Sequence, residues 1–461
     1  MQKIQNRNGI QLKEELKDKR DKGDKKQKNQ VKHSHPKNMN KSVIASGKYG
    51  CVVYPRIKCD GVTNHHYREF VSKIALDDFF TNNEYSVSMK IKSHMARSTP
   101  KNGINNHDEM LDRFVLIQSK CNVKRQHMDV LKSERTDIME QCKMIKKRLS
   151  TTPHDDKDGK DDDNDPKKSV QFVLLKMKYI QSITAMDHLL NQFDMRKYLK
   201  YYYFSLKCIE SLQTMRIIHR DLHPSNIIIQ NGTDKFYLID FGLSIDLDKV
   251  LPPNTEQINY SYLRRVLIKH DPSWKFHSIE DHMLSFYVFH NRHPTRQDIQ
   301  NIVEKYYSMS NVVMQLYISD MNMYRKRVLN YMIENYVENS NQYTVDDQVR
   351  KIINESSHTW DLYRVNYITL YLMSKFKIQN MNNFVSLSFS CLHYDYTKRP
   401  KNMKSLIHTF INIIKYQNLL PSFVQNSEDE QSKSVNTELR NKRQKMQEII
   451  DFATMSFRDY H

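Results

Sequence analysis

Two short loops, met in order along the chain, constrain it more than any other stretch: His219-Arg220-Asp221-Leu222-His223-Pro224-Ser225-Asn226 and Asp240-Phe241-Gly242. They set two carboxylates and an amide at fixed offsets, with Asn226 five positions after Asp221, so that one turn can present both inward. Such a set suits phosphoryl transfer, in which a protein does little covalent chemistry and mainly positions a nucleotide, its divalent ions and an acceptor hydroxyl. Asp221 is then placed to accept or orient the hydroxyl proton, Asn226 to offer its amide oxygen to magnesium, and Asp240 to offer a hard carboxylate oxygen. The flanks agree. A helical stretch from Phe193 to Thr214 precedes Ile217 and Ile218, Ile227-Ile228-Ile229 runs as a buried strand would, and the β-rich run Phe236 to Ile239 delivers Asp240. A single tripeptide such as His219 to Asp221 arises by accident, but two loops in the right order are a far more specific signal.

These residues resemble the catalytic loop and the metal-binding loop of the protein kinase superfamily. The resemblance implies a two-lobed α+β fold, with a small antiparallel β-sheet lobe, a mainly helical large lobe, and ATP with Mg2+ between them. Upstream, Ala45-Ser46-Gly47-Lys48-Tyr49-Gly50-Cys51-Val52 resembles the glycine-rich loop over the ATP phosphates, with Ala45 where the first glycine would stand. Residues without a Cβ let backbone N–H groups approach phosphate oxygens, although alone the segment reads equally well as an ordinary hairpin. Val71-Ser72-Lys73, inside the alternating run Phe70 to Leu76, resembles the strand whose lysine pairs with the α- and β-phosphates. Its carboxylate partner is expected on a helix from Asn82 to Ile91, where Glu84 is the sole acid; Asp77 and Asp78 stand as alternatives. The run Phe172 to Ile180 resembles the strand and hinge beside adenine, which brings Met177 and Tyr179 to the nucleotide; a plain buried strand is the alternative.

Near the end, Trp360-Asp361-Leu362-Tyr363 opens an apolar helix, Val365 to Met373, similar to the central kinase helix whose aspartate bonds to the catalytic-loop backbone. Asp395-Tyr396-Thr397-Lys398-Arg399-Pro400 resembles the last large-lobe motif. Aminoglycoside-type phosphotransferases lack this tail, so the two motifs favour a protein kinase, and Pro224 favours the serine/threonine type. The chain also departs from the family. The arginine that pairs with the glutamate of the family's Ala-Pro-Glu is present as Arg399, but no such tripeptide closes the activation segment, which puts the platform for a peptide acceptor in doubt. Ser88 stands where an apolar residue would pack behind the metal loop, and His223 stands where serine/threonine kinases carry a lysine touching the γ-phosphate. Arg220 is placed to answer a phosphorylated activation loop, with Ser244, Thr255, Tyr260 and Ser261 as candidate acceptors. A pseudokinase scaffold that binds ATP without turnover, and a small-molecule phosphotransferase, stay open beside the protein kinase.

The organisation read from these motifs is a basic tail over 1–41, a small lobe over 42–179 with an insert near 120–169, a large lobe over 180–418 with a helical insert near 250–356, and a polar tail over 419–461. Within the second insert, Thr295 with Asp298 and Thr344 with Asp347 read as helix starts, and the stripe Ile299, Ile302, Val303, Tyr306, Tyr307 is expected to pack on the large lobe. Lys and Arg number 72 against 53 acids, a formal net charge of +19, much of it in the first forty residues, which are predicted to be disordered. That tail can give weak polyanion or nucleic-acid contact through counterion release, with compositional drift from AT-rich coding as the alternative. Six cysteines without paired spacing read as reduced thiols of an intracellular protein, without a zinc site or disulfide framework. The acidic tract Asp155 to Asp165 lacks the glycine and glutamate of a calcium loop and reads as a solvated linker. No apolar run approaches the roughly eighteen residues that span a bilayer, so no membrane contact is expected and a cytoplasmic location is. Long inserts and loose motifs resemble the divergent serine/threonine kinases of giant nucleocytoplasmic DNA viruses, which would place the chain, with its protein substrates, in a host cytoplasm or a virion; an AT-rich protist is the alternative source.

Overall fold

Alternating apolar positions in the run Phe70–Leu76 give a strand with two buried faces, and the small lobe is built around it. The computed structural model describes residues 43–46, 50–57, 69–98, 110–123, 136–145, 171–191, 193–308, 311–378 and 380–416. Strands β1 (Val43–Ser46), β2 (Gly50–Val53), β3 (Phe70–Leu76), β4 (Ile117–Val123) and β5 (Phe172–Lys178) form one antiparallel sheet in the order β1-β2-β3-β5-β4. Because side chains alternate along a strand, β3 sends Ile74 to one face and Val71, Lys73 and Ala75 to the other. The second face meets Ile117, Val173, Leu175 and Met177. Helix α1 (Phe79–Ser98) follows β3 after two residues and is longer than the stretch expected from Asn82 to Ile91. Gly50 is needed where β2 crosses β3, since a Cβ there would lie 2.6 Å from the Ile74 carbonyl oxygen.

The face carrying Ile74 is covered by part of the first insert. Helix α2 (Thr136–Gln141) and the residues after it bury Ile138, Cys142, Met144 and Ile145 against Val53, Phe172 and Leu174. This corrects the reading of the cysteines: Cys51 on β2 and Cys142 form a disulfide with Cα atoms 5.7 Å apart, and Cys121 is also disulfide-bonded. Among the described residues, Cys208 and Cys391 are buried thiols outside any disulfide. Two cysteines separated by 91 positions show no pairing in their spacing; the sheet brings them together by seating the insert under β2. The acidic tract and the basic tail lie outside the described residues.

The large lobe starts with β6 (Ser182–Thr184), α3 (Ala185–Asn191) and the long buried α4 (Met195–Thr214), capped by Asp194, whose carboxylate accepts from the Arg196 N–H. Short strands β7 (Ile217–Ile218), β8 (Ile227–Gln230), β9 (Phe236–Leu238) and β10 (Ile245–Asp246) carry the two loops. Then follow α5 (Leu247–Val250), α6 (Tyr260–Leu267), α7 (Ile279–His290), α8 (Arg296–Tyr306), α9 (Val312–Tyr317), α10 (Met321–Ile333) and α11 (Val345–Ser356). Thr295 and Thr344 both form reciprocal capping boxes, with Asp298 and Asp347. Ile299, Ile302, Val303, Tyr306 and Tyr307 are buried in the same core as α12 (Trp360–Lys375). Helix α12 is buried on nearly all sides and is tied to α4 by Tyr198, whose hydroxyl donates to the Thr369 carbonyl at 2.9 Å, and by Tyr202, which donates to Asn366 at 2.8 Å. Helices α13 (Asn382–Ser390) and α14 (Met403–Tyr416) complete a two-lobed, kinase-like α+β fold. No helix among the described residues is long and apolar enough to cross a membrane.

Candidate active site

The β8–β9 hairpin sets the two loops side by side. Ile227 pairs with Leu238, and the Ile239 N–H donates to the Asn226 carbonyl at 2.9 Å, so Asn226 and Asp240 leave the same end of one hairpin. Before it, the turn Pro224–Asn226 is capped by His223, whose Nδ1 accepts from the Ser225 N–H at 3.2 Å. The Asn226 Nδ2 donates to the Asp221 carbonyl at 2.9 Å and to its Oδ2 at 3.0 Å. The amide oxygen is left unengaged among the described residues. Asp240 sits at φ 65°, a left-handed conformation that a short polar side chain tolerates better than most.

Helix α12 fixes the catalytic loop from below: Asp361 accepts the His219 N–H at 2.7 Å and the Arg220 N–H at 2.8 Å. Burial pushes the His219 pKa below its ordinary value, and its Nδ1 accepts from the Asp221 N–H at 3.3 Å, which leaves Nε2 to donate to the Ile239 carbonyl at 3.3 Å. The ring lies 5.0 Å from Phe241, and Phe241 lies 5.8 Å from Phe114. Phe114 thus packs against the metal loop, while Ser88 is buried and accepts the Ile117 N–H.

Lys73 donates to Glu84 at 2.8 Å and lies 3.6 Å from Asp240. Burial works against its charge, but Asp240 and Glu84 outweigh burial and raise its pKa, so it is held protonated. Asp77 instead pairs with Lys120 at 2.6 Å, and Asp78 caps the start of α1 through the Thr81 N–H. For Asp221, burial acts to raise the pKa, yet Arg364 and then His223 overcome it and hold the carboxyl far below the usual aspartate range.

A cleft of about 630 Å³ opens between the lobes, and Ala45, Ser46, Gly50, Val52, Val71, Met177 and Tyr179 line it together with Lys73 and Asp240. Gly47, Lys48 and Tyr49 lie outside the described residues. Asp221 lines a narrower recess with Lys73, Glu84 and Asp240. Val115, Ile228 and Ile239 add apolar wall that was not among the expected nucleotide contacts. Tyr179 stacks on Tyr54 with ring centres 4.1 Å apart.

Other residues escaped the motif reading. Arg399 Nη2 donates to Glu280 at 3.0 Å, both side chains buried. Ser278-Ile279-Glu280 therefore supplies the glutamate of the absent Ala-Pro-Glu, and the contact with Arg399 singles it out among the acids of this segment. The Arg220 guanidinium lies 3.3 Å from both Asp281 oxygens and also donates to the Val266 carbonyl. Its charge is met by an internal carboxylate. Asn83 on α1 donates to the Ser244 carbonyl at 2.7 Å and to that of Gly242 at 3.2 Å. Arg364 on α12 donates to Asp221 Oδ1.

Among the described residues, no three His, Cys, Asp or Glu side chains cluster into a metal site of their own. Magnesium usually takes one or two protein oxygens and the rest from water and substrate phosphates, so the unengaged Asn226 amide oxygen and the half-exposed Asp240 carboxylate fit it as a donor set.

The fold is two-lobed and kinase-like, and the two loops lie where its lobes meet. Residues 168–264, which include both loops, match the ABC1 atypical kinase-like domain. A stretch of 62 residues, 12% of this chain, is 40% identical to the serine/threonine-protein kinase CAK1 of Saccharomyces cerevisiae and spans 17% of that protein's length. These likenesses support a place in the protein-kinase-like superfamily, and a kinase-like domain implies ATP as ligand.

Proposed function

We propose that this chain is a serine/threonine-protein kinase, transferring the γ-phosphoryl group of ATP, with Mg2+, to hydroxyls of protein substrates. The reading rests on one recess that gathers Lys73, Glu84, Asp221 and Asp240, with Glu84 to Lys73 at 2.8 Å, Lys73 to Asp240 at 3.6 Å, and Asn226 bonded to Asp221 at 3.0 Å. Adenine would lie between the apolar walls given by Val52, Val71 and Ile228. Lys73, held protonated, neutralises phosphate charge. Asp221, held ionised, accepts the hydrogen bond of the acceptor hydroxyl and orients its oxygen toward the γ-phosphorus. Magnesium, when bound through Asn226 and Asp240, supplies charge neutralisation on the phosphate oxygens. Catalysis is then mainly alignment and preorganised charge. The buried Arg399–Glu280 pair supports a peptide acceptor, because it anchors the segment on which a peptide would lie. The two inserts support kinship with divergent kinases of giant DNA viruses.

The test is transfer of radiolabel from γ-labelled ATP to the chain itself and to a generic acceptor protein. Label is expected on serine and threonine, with Asp221→Asn and Asp240→Asn each lowering transfer by about 100-fold or more. Stabilisation by ATP and magnesium without transfer would establish a scaffold instead. Label confined to a panel of small alcohols would make it a small-molecule phosphotransferase, and undiminished transfer by Asp240→Asn would overturn the metal assignment.

A further inference from the structure

We propose that Arg364 is a positioning residue for this transfer: from helix α12 it supplies, beside Asp221, the fixed positive charge that a lysine would supply at the position of His223. The inference rests on the kinase reading above. Asp361 and Arg364 stand three positions apart and so share one helix face. From that face Asp361 binds the backbone N–H groups of His219 and Arg220, and Arg364 binds the Asp221 carboxylate. One turn of helix thus grips three successive loop residues, the third by its reacting side chain.

A merely stabilising role accounts poorly for the arrangement. The Arg364 side chain is 5% exposed, and its Nε–H has no hydrogen-bond partner among the described residues. Buried ion pairs seldom return the cost of removing both charges from water, and a buried donor left unmatched adds to that cost. What the pair does achieve is geometric. The guanidinium is set over the Phe276 ring, 5.5 Å from its centre, and engages Asp221 Oδ1. Oδ2, which accepts from Asn226 Nδ2 at 3.0 Å and lies 3.5 Å from His223 Nε2, is then the oxygen offered to an acceptor hydroxyl, on a side chain still 25% exposed. A guanidinium also keeps its charge at every working pH.

The experiment compares Arg364→Met, Arg364→Lys and the double variants carrying His223→Lys, reading kcat, the KM for ATP and the melting temperature in the full chain. Arg364→Met should lower kcat by about 100-fold while the KM for ATP stays within about twofold. Arg364→Lys should lose about tenfold, since an ammonium lacks the planar fork. Adding His223→Lys to either should restore at least about tenfold of what was lost, because the charge returns from the other side. Wild-type kcat in Arg364→Met overturns the proposal. Should that variant fail to fold, the lysine pair decides: Arg364→Lys gaining nothing from His223→Lys also overturns it. Absence of transfer by the unaltered chain would count against the kinase reading itself and is visible before any variant is made.

Discussion

Glu280 and Arg399 meet with side chains only 1% and 0% exposed, so neither charge has water to fall back on. Glu280→Ala should therefore cost about 3–5 kcal/mol, the usual effect of leaving one buried charge unpaired, while Glu280→Leu with Arg399→Met should cost clearly less. Urea titration of the two variants checks this, and equal losses would show that the pair matters for its shape and not its charge. His282 gives a pH dependence. Its Nε2 donates to the Trp274 carbonyl at 2.9 Å, and burial pushes its pKa from 6.5 down to about 4. The unfolded chain then takes up the proton first, so stability is complete above about pH 6.5 and is lost as pH falls toward 4, by at most about 3 kcal/mol. His282→Gln should be the less stable protein at pH 7.5, and its deficit should shrink by pH 4.5; a constant gap in urea midpoint would exclude this. Lys73, Asp221, Asn226 and Asp240 were legible because each sits in a loop or strand whose internal spacing identifies it. Arg364, Glu280 and Asp281 act on partners 143, 119 and 61 positions away, and spacing within a motif carries no trace of such pairs.

Between Asp240 and Glu280 the chain is held against α1 by side-chain contacts. Lys90 bonds Asp248 at 2.7 Å, Lys249 donates to Ser86 at 2.6 Å, and the Tyr262 hydroxyl donates to Asn83 at 2.9 Å. Asp281 lies 3.3 Å from Arg220, the arginine expected to answer a phosphate group. Of the four candidate hydroxyls, Ser244 is fully buried and donates to the His219 carbonyl, and Tyr260 donates to Asp346 at 2.6 Å. Thr255 and Ser261 are exposed. The doubly substituted Thr255→Ala, Ser261→Ala chain should keep its transfer rate within about twofold, and phosphatase treatment should leave the native chain unchanged, whereas Asp281→Asn should lower the rate about tenfold or more. A large drop after phosphatase would show that the internal carboxylate is not sufficient. At this scale the sequence was readable where an element has length and period: β3 coincides with its alternating run, and both capping boxes stand where Thr295 and Thr344 mark them. Helix α2, six residues long, was too short to show a period.

The lobes differ in what secures them. The large lobe has one continuous core through α4, α12 and the helical insert, and tyrosine hydroxyls bond across it. The small lobe has a sheet with two separate apolar faces, and the outer one is closed by a short stretch of insert joined covalently to β2 at Cys51. A cross-link spanning 91 positions restricts the unfolded chain strongly, worth about 4–5 kcal/mol on loop-closure entropy alone. The strand it secures also carries Gly50 and Val52 into the nucleotide cleft. Cys51→Ser with Cys142→Ser should therefore lower the melting temperature and weaken ATP binding together, since the roof of the cleft loosens with the outer face of the sheet. Glu280→Ala, acting on the other lobe, should lower the melting temperature with little change in ATP affinity. Scanning calorimetry with nucleotide titration separates the two. If removal of the disulfide left ATP affinity untouched, the insert would be a cover for the sheet and nothing more; coupled losses would make it part of the machinery that holds the phosphate-binding strands in place.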